Sequence, residues 1–479
     1  MATEFALIRT QAPLAGGTQD VTSSSITDFS AAIGFIFGHN GDGGSATAHG
    51  RIGVGVCTKN VSATPGVAEA ASTCSRARSA VTTNQNRCGA SAGTNPRFLQ
   101  VVSPSVLAPV AACRVIDRAT SGLANGIRLD WTTTPDAAYE MVILLIGGLS
   151  GVSIKTITAT TTPGFQTDFA VLLTTASNFS GTDGTYGVDA QHNLGFLIRS
   201  GLKQVCIASE WLNGGTTTDC DGVAENDRAA GQVLAGVATF DLATSITSTS
   251  VTFTGLNPAG QGLFCKFADT AQVGIALETI PGATGTQEYT GLGFAPSVVL
   301  GLATAVNATN TATDGSSAAT QSFFASTPTS EFSGNARLKE GVAINGGTPS
   351  ATDTLFETKA LMLRDDAGTV ATRATRAANT ASGWQLTYSL ATAGRMAVLG
   401  FAPGNLSSAT SDTEQLSDQF RSILHRKLVL GDTESLSDGL VGPALADGLS
   451  ALGPAGAVLQ QSPERGTVLE EGGLAGETV

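Results

Sequence analysis

Gly164–Leu173 reads GFQTDFAVLL, and Gly293–Leu302 reads GFAPSVVLGL. Each is a Gly-Phe lead followed by a short apolar run, which reads as a buried strand. Nearer the N-terminus the same place is held by Ala31–Phe37, AAIGFIF, with Asp28-Phe29 standing where the other two have Gly-Phe. Upstream of each run lies a strand with one buried face, marked by apolar/polar alternation: Phe5–Thr10 (FALIRT), Val152–Ile157 (VSIKTI) and Gly274–Thr279 (GIALET). Downstream comes an Asp-Gly pair, at 42–43, 183–184 and 314–315, which supplies the positive φ of a tight turn.

Seven to nine residues after that Asp stands a polar residue, His49, His192 or Gln321. A further strand follows: Arg51–Val56, Leu194–Ile198 or Ser322–Ala325. Each unit closes with an aromatic strand and an apolar strand read as its hairpin partner. These pairs are Ile127–Trp131 with Met141–Ile146, Val251–Phe253 with Gly262–Phe267, and Trp384–Tyr388 with Met396–Phe401. Matches recurring in the same order three times predict three diverged copies of one β-domain. The expected fold is mainly β: tandem sandwich or jelly-roll-like domains over 1–149, 150–269 and 270–403. Loops such as Val61–Asn95 and Asn307–Thr313, rich in Ser, Thr, Ala and Gly, are expected on the surface.

From residue 404 to 479 the character changes, and this segment is read as a C-terminal arm serving oligomerisation. DTEQLSD at 412–418 recurs as DTESLSD at 432–438. Asp412 or Thr413 could cap a helix over Glu414–Leu430 with Leu416, Phe420, Ile423 and Leu424 on one face, and an extended form competes with it. Gly442–Val479 has the composition of a flexible arm.

Composition narrows the function. Charged residues are 14% of the chain and Gly is 58 of 479 residues, against averages of about 25% and about 7%. Thr, Ser and Gly are poor helix formers, and 42% hydrophobic content is enough for cores. A net charge of −13 disfavours nucleic acid and anionic membrane surfaces as partners. The start MATEF has no basic and apolar leader, and the longest apolar run, Met141–Ile146, is far too short to span a bilayer. A soluble protein made in a cytoplasm is therefore expected. Glycine within strands suggests close approach of another backbone, and the sparse charge suggests a surface covered by other subunits.

Candidate chemistry is thin. Gly89-Ala90-Ser91-Ala92-Gly93 fits the nucleophile-elbow pattern but lacks the strand-before, helix-after context. His39 and His49 flank one turn, yet neither they nor His192 and His425 sit in a recurring ligand set for zinc. The histidine-to-Gln321 exchange points to loop ordering. Strand carboxylates Asp130, Glu140, Asp241 and Glu278 do not recur between units as a hydrolytic pair would. Trp131, Trp211 and Trp384 are core residues or, if exposed, platforms for sugar rings. The seven cysteines, Cys57, Cys74, Cys88, Cys113, Cys206, Cys220 and Cys265, read as small buried hydrophobes. Cys74 with Cys88 and Cys206 with Cys220 are spaced as pairs that could form late. No catalytic, cofactor or metal residue is assigned, and a scaffold rather than an enzyme is expected.

The Gly-Phe-led strands at 164–173 and 293–302, the Asp-Gly turns and the Leu-Ser-Asp repeats at 416–418 and 436–438 resemble structural proteins of tailed-bacteriophage particles, of the minor-tail or tail-fibre kind. The resemblance implies a non-enzymatic virion protein, tail-associated at a fibre, tip or neck, oligomeric and bound to other virion proteins. A capsid decoration or head-fibre protein, or an adhesin for host-surface glycan, is the alternative.

Overall fold

A computed structural model describes residues 2–403 apart from 44–45, 78–86, 94–95, 104–107, 176–178, 180–184, 213–218, 235–236, 256–259, 315–319, 339–351 and 366. The arm with its expected helix at 414–430, His425, and the Asp-Gly pair at 183–184 lie outside the described residues. The fold is mainly β, 63% strand and 2% helix, in several antiparallel sheets of which none closes into a barrel. Met1–Gly404 forms one compact unit.

That unit has three lobes, each an inner sheet backed by a four-stranded outer sheet. In lobe I the inner order is Glu4–Gln11, Glu140–Gly147, Phe29–Phe37, Gly50–Val61, Ala68–Ala77, Arg87–Ser91; the outer order is Gly17–Thr22, Gly126–Thr133, Pro109–Ile116, Leu99–Val102. Lobe II repeats this from Leu149–Thr156 to Gly260–Phe267, and lobe III from Gln272–Ile280 to Gly394–Ala402.

The inner sheets are buried on both faces. In Phe29–Phe37, residues Ala31, Ile33, Phe35 and Phe37 enter a core shared with the other lobes, whereas Ala32 and Ile36 point into the private core of lobe I. Two apolar faces explain why the strand is a continuous apolar run rather than an alternation. The shared core is closed by aromatic pairs across lobes: Phe35 on Phe323 at 4.9 Å, Phe5 on Phe401 at 4.9 Å, and Phe169 edge-on to Phe401 at 5.0 Å.

The same logic corrects the closing pair. Gly126–Thr133 and Glu140–Gly147 do not form a hairpin; the first pairs with Gly17–Thr22 and Pro109–Ile116 in the outer sheet, the second with Glu4–Gln11 and Phe29–Phe37 in the inner sheet. Met141–Ile146 has no polar face and fits only a sheet covered on both sides. Ile127–Trp131 alternates and fits a sheet with one wet face.

The stretch 61–95 is also not a surface loop. It carries Ala68–Ala77 and Arg87–Ser91, both almost wholly buried inner strands. Their small residues let the sheet be approached closely. At two strand glycines the approaching backbone leads into the lobe's own outer sheet: a Cβ on Gly55 would sit 1.6 Å from the Phe98 carbonyl oxygen, and one on Gly195 1.9 Å from that of Ala229. Part of the sparse charge has the same origin, because three sheets buried on both faces leave few positions for it.

Candidate functional site: the junctions between lobes

Each inner sheet ends on a strand that belongs to another lobe. Thr185–Val188 of lobe II adds to Arg87–Ser91 of lobe I. Thr313–Asp314 of lobe III adds to Cys220–Glu225 of lobe II. Thr47–Ala48 of lobe I adds to Thr352–Glu357 of lobe III. The exchange is cyclic, II to I, III to II and I to III, and it relates the lobes by a pseudo-threefold. In lobes I and II the donor segment runs on towards a central strand of its own lobe, so the chain turns a corner between two sheets. In lobes I and II the corner residue is left-handed, His49 at φ 74° and Asp189 at φ 63°. Non-glycine residues adopt that region rarely, His and Asp among the most tolerant.

Register places the polar residues. Ala31, Phe169 and Val298 are the first shared-core residues of the three central strands; six residues on, Phe37 faces Ile52 and Thr304 faces Gln321, and the Phe169–Ile198 register continued by the same six residues reaches His192, which sets Ile52, His192 and Gln321 at one position of the three lobes. His49 is therefore the counterpart of Asp189, three residues from the place the sequence alignment gave it. Gln321 donates to Thr304 Oγ1 at 3.1 Å. His192, 2% exposed, meets Ser75 Oγ of lobe I through Nε2 and packs on Trp211 with ring centroids 4.4 Å apart. Burial drives its imidazole down to about 3, so it stays neutral at this junction.

The I-to-III junction is the most polar. The turn at Asp42-Gly43, with Gly43 at φ 66°, reaches across to lobe III. Gly43 N donates to Phe356 O at 2.8 Å, and His49 N donates to Thr352 O at 2.9 Å. The Asp42 carboxylate accepts from Thr358 N at 2.7 Å and from the Thr358 hydroxyl. Behind it the wholly buried Glu140 accepts from Arg9 Nε at 2.8 Å, Gln11 Nε2 at 2.5 Å and Gly41 N at 3.2 Å. The hydrogen bond to Glu140 raises the Arg9 guanidinium above its ordinary value, with the charges of Glu140 and Asp42 adding and burial opposing. A buried carboxylate with three donors is a structural tie, since burying it unpaired would cost several kcal/mol.

The other junctions carry ties of their own: between lobes I and II, Asn60 Nδ2 donates to Val152 O at 3.0 Å and Ile154 N donates to Glu69 Oε2 at 3.3 Å. Asn226 and Asn310 exchange hydrogen bonds between lobes II and III, and Asn310 N donates to Ala224 O. Thr3 N and Oγ1 of lobe I both donate to Asp269, at 2.6 Å each.

The remaining sequence candidates are dispersed. Asp130 pairs with Arg114 in an outer sheet, Glu278 accepts from Gly291 N in lobe III, and Asp241 is buried in the outer sheet of lobe II. None meets Glu140. Ser91 ends a strand, and its buried hydroxyl accepts from Arg97 N at 2.9 Å. Trp131, Trp211 and Trp384 are 5%, 0% and 0% exposed, so none offers a ring to a sugar. All seven cysteines are buried, and none is joined to another in a disulfide. Cys74 faces Gly89 while Cys88 faces Ser75, so the two thiols point to opposite faces of the sheet. Cys206 faces Glu225 and Cys220 faces Trp211, about 16 Å apart along the ladder. Burial pushes the Cys113 thiol up to about 12. Among the described residues no three His, Cys, Asp or Glu side chains group to hold a metal ion, and no helix is long and apolar enough to cross a membrane.

Compared with known proteins, the chain matches no family model and no curated sequence. Among solved structures, the crystal structure of Pseudomonas aeruginosa OccK11 (OpdR) is 12% identical over 84% of this chain and 96% of that one, with a TM-score of 0.09. That score carries no likeness of fold.

Proposed function

We propose that this chain is a non-enzymatic structural component of a bacteriophage particle, tail-associated, acting through its surfaces. The observation that carries the reading is the cyclic strand exchange. It fuses three sandwiches into one body in which no lobe can leave without stripping a strand from a neighbour and opening the shared core. Such a body resists proteolysis and partial unfolding, which a protein outside the cell requires, and it has the pseudo-threefold form of a trimeric building block. Its partners on this reading are further copies of itself and other virion proteins, its place is the virion, and it needs no cofactor.

The pseudo-threefold favours a second placement, as a decoration on a three-fold site of the capsid. The adhesin reading loses support, because its aromatic platforms are buried. Purified particles analysed by mass spectrometry, followed by electron microscopy with the chain labelled, test the proposal. A stoichiometric band and a label on the tail support it, and a label on the shell selects the decoration reading. Absence from particles refutes both.

A further inference from the structure

The private core is continuous in two lobes and divided in the third. One apolar cluster fills the space between inner and outer sheets in lobe I, and another does so in lobe III. Lobe II has two clusters. The larger joins Leu172 and Phe264 to Ala243 and Phe253 of the outer sheet. The smaller joins Ala208 and Val223 to Val233, with Phe240 packed against it. Acids stand on both sides of the smaller one. Two residues along the inner strands in one direction, Cys206 faces Glu225; two residues in the other, Glu210 faces Asp221. From the outer sheet, Asp241 and Ala243 are the two buried positions of Val237–Ile246. The Cys206 thiol stands well above its ordinary range, through burial first and then through the charges of Glu225 and Asp241, so both carboxylates bear on this spot.

The buried charge is one-sided. Apart from the neutral His192, every buried ionisable side chain of lobe II among the described residues, its cysteines aside, is an acid: Asp189, Glu210, Asp221, Glu225 and Asp241. Lobes I and III bury arginines as well as acids, Arg51 and Arg337 among them. Hydrogen bonds from inner-sheet side chains to outer-sheet backbone do much of the holding in lobe II. Gln204 Nε2 donates to Ala243 O at 3.1 Å and Gln204 Oε1 accepts from Ala243 N at 2.8 Å. Gln191 Nε2 donates to Val233 O at 3.0 Å, and Thr174 Oγ1 to Gly231 O at 2.6 Å. Water replaces such bonds when the sheet lifts, so they resist opening less than a continuous apolar core does.

We propose that the outer hairpin of lobe II, Ala230–Leu234 with Val237–Ile246, is a pH-gated flap: it lies closed on the inner sheet while the acid belt beneath it is protonated, and lifts when the belt ionises, with lobes I and III remaining closed. Glu225 sets the range. Burial raises its carboxyl from 4.5 to about 7, with Asp227 adding and Arg228 opposing, so its support for closure is complete below pH 4.5 and is lost as pH rises through 7. Around it stand Cys206, Asp241 and the Asp227–Arg228 ion pair at 3.1 Å; Lys203 lines the cleft beside Asn226, and Asn310 of lobe III is uncharged. Glu225 also ends the strand that receives Thr313–Asp314 from lobe III, so the flap lies at the II-to-III exchange.

Hydrogen exchange of the full chain, followed by mass spectrometry at pH 6 and pH 8 and taken relative to the intrinsic rate at each pH, tests the proposal. An acid displaced from 4.5 to about 7 and freed on opening changes the opening equilibrium about tenfold over this interval. The expected result is a loss of protection of that size in Ala230–Leu234 and Val237–Ile246, with none in Pro109–Ile116 and Val370–Arg376, the matching strands of lobes I and III. In Glu225→Gln the lobe II strands should keep the same protection at both pH values. A loss of equal size in all three lobes overturns the proposal, as does protection in lobe II that holds at pH 8, or a loss that persists undiminished in Glu225→Gln. The comparison between lobes is made within wild type, so it decides the matter even where the variant fails to fold.

Discussion

Glu225 ends the strand Cys220–Glu225, 4% exposed, one residue from the Asn226–Asn310 tie between lobes II and III. Burial pushes its carboxyl up from 4.5 to about 7; the charge of Asp227 adds to the rise, Arg228 opposes it, and a hydrogen bond with Asp227 adds again. The fold therefore favours the protonated acid more than the unfolded chain does. The stabilisation this provides is fully present below pH 4.5 and is lost as pH rises through 7. At ~1.36 kcal/mol per pH unit the displacement is worth about 3 kcal/mol, and solvent screening at the strand end reduces it to about 2. Urea unfolding at pH 5, 6, 7 and 8 of wild type and Glu225→Gln measures it, because the difference between the two curves removes every other titrating group. Gln keeps the shape and cannot ionise, so the variant should gain on wild type by about 2 kcal/mol between pH 5 and pH 8. Asp227→Asn should reduce that gain by lowering the Glu225 carboxyl, and burial, the larger cause, should keep part of it. A difference that stays flat across this range refutes the reasoning.

Five further outcomes are expected. Gly55→Ala drives a methyl onto the Phe98 carbonyl and should cost about 3 kcal/mol or more in urea unfolding. Gly282→Ala, whose nearest neighbour is Ala393 Cβ at 3.9 Å, should change stability by less than about 0.5 kcal/mol. Phe35→Ala should cost about 3–5 kcal/mol, with a coupling of about 1 kcal/mol to its stacking partner in a double-mutant cycle with Phe323→Ala. Asp42→Ala removes both acceptors of Thr358, so amide exchange at Thr358 should quicken by about tenfold, equivalent to ~1.4 kcal/mol. All seven thiols should react with a thiol reagent only after unfolding and without prior reduction, because every one is buried and none is in a disulfide.

Most strands were legible in the sequence, because a buried strand must be apolar whatever its neighbours do. Leu172 and Leu300 sit in one run each, and the runs fell where the structure has Phe169–Thr174 and Val298–Thr304. What stayed hidden depends on partners. Whether Met141–Ile146 pairs with its sequence neighbour or crosses to the other sheet is decided by a second apolar face of which a linear reading sees only the hydrophobicity. The strands at 68–77 and 87–91 are built mostly of Ala, Ser, Cys and Gly, which carry little strand signal of their own and are held by pairing on both sides. The exchanged segments are two to four residues long, too short for any periodicity. A usable trace of them is the polar corner residue: His49 and Asp189 are left-handed, and aligning the histidines by type rather than by corner shifted the first lobe by three residues.

The exchange also imposes an order on folding. Lobe I lacks its terminal strand until Thr185–Val188 has been made, and lobe II until Thr313–Asp314 has been made. These two additions can follow synthesis from the N-terminus. The third cannot, because Thr47–Ala48 waits for Thr352–Glu357, and the Asp42 carboxylate waits for Thr358, 316 residues away. Until then lobe I holds an unpaired donor and half of a shared aromatic core, with Phe35 lacking Phe323 and Phe5 lacking Phe401. Contacts of such separation are slow to form, and exposed edges and apolar faces invite association in the interval. The charge at this junction serves that interval as well as the finished fold. Before closure Arg9, Asp42 and Glu140 keep the waiting face of lobe I polar; after closure the same groups hold Thr358 and the turn at Gly41 in place. The junction that must close last is thus the one with the densest hydrogen bonding, and an apolar replacement of Glu140, which strands the donors of Arg9, Gln11 and Gly41, should lower the yield of soluble protein as well as the stability of what does fold.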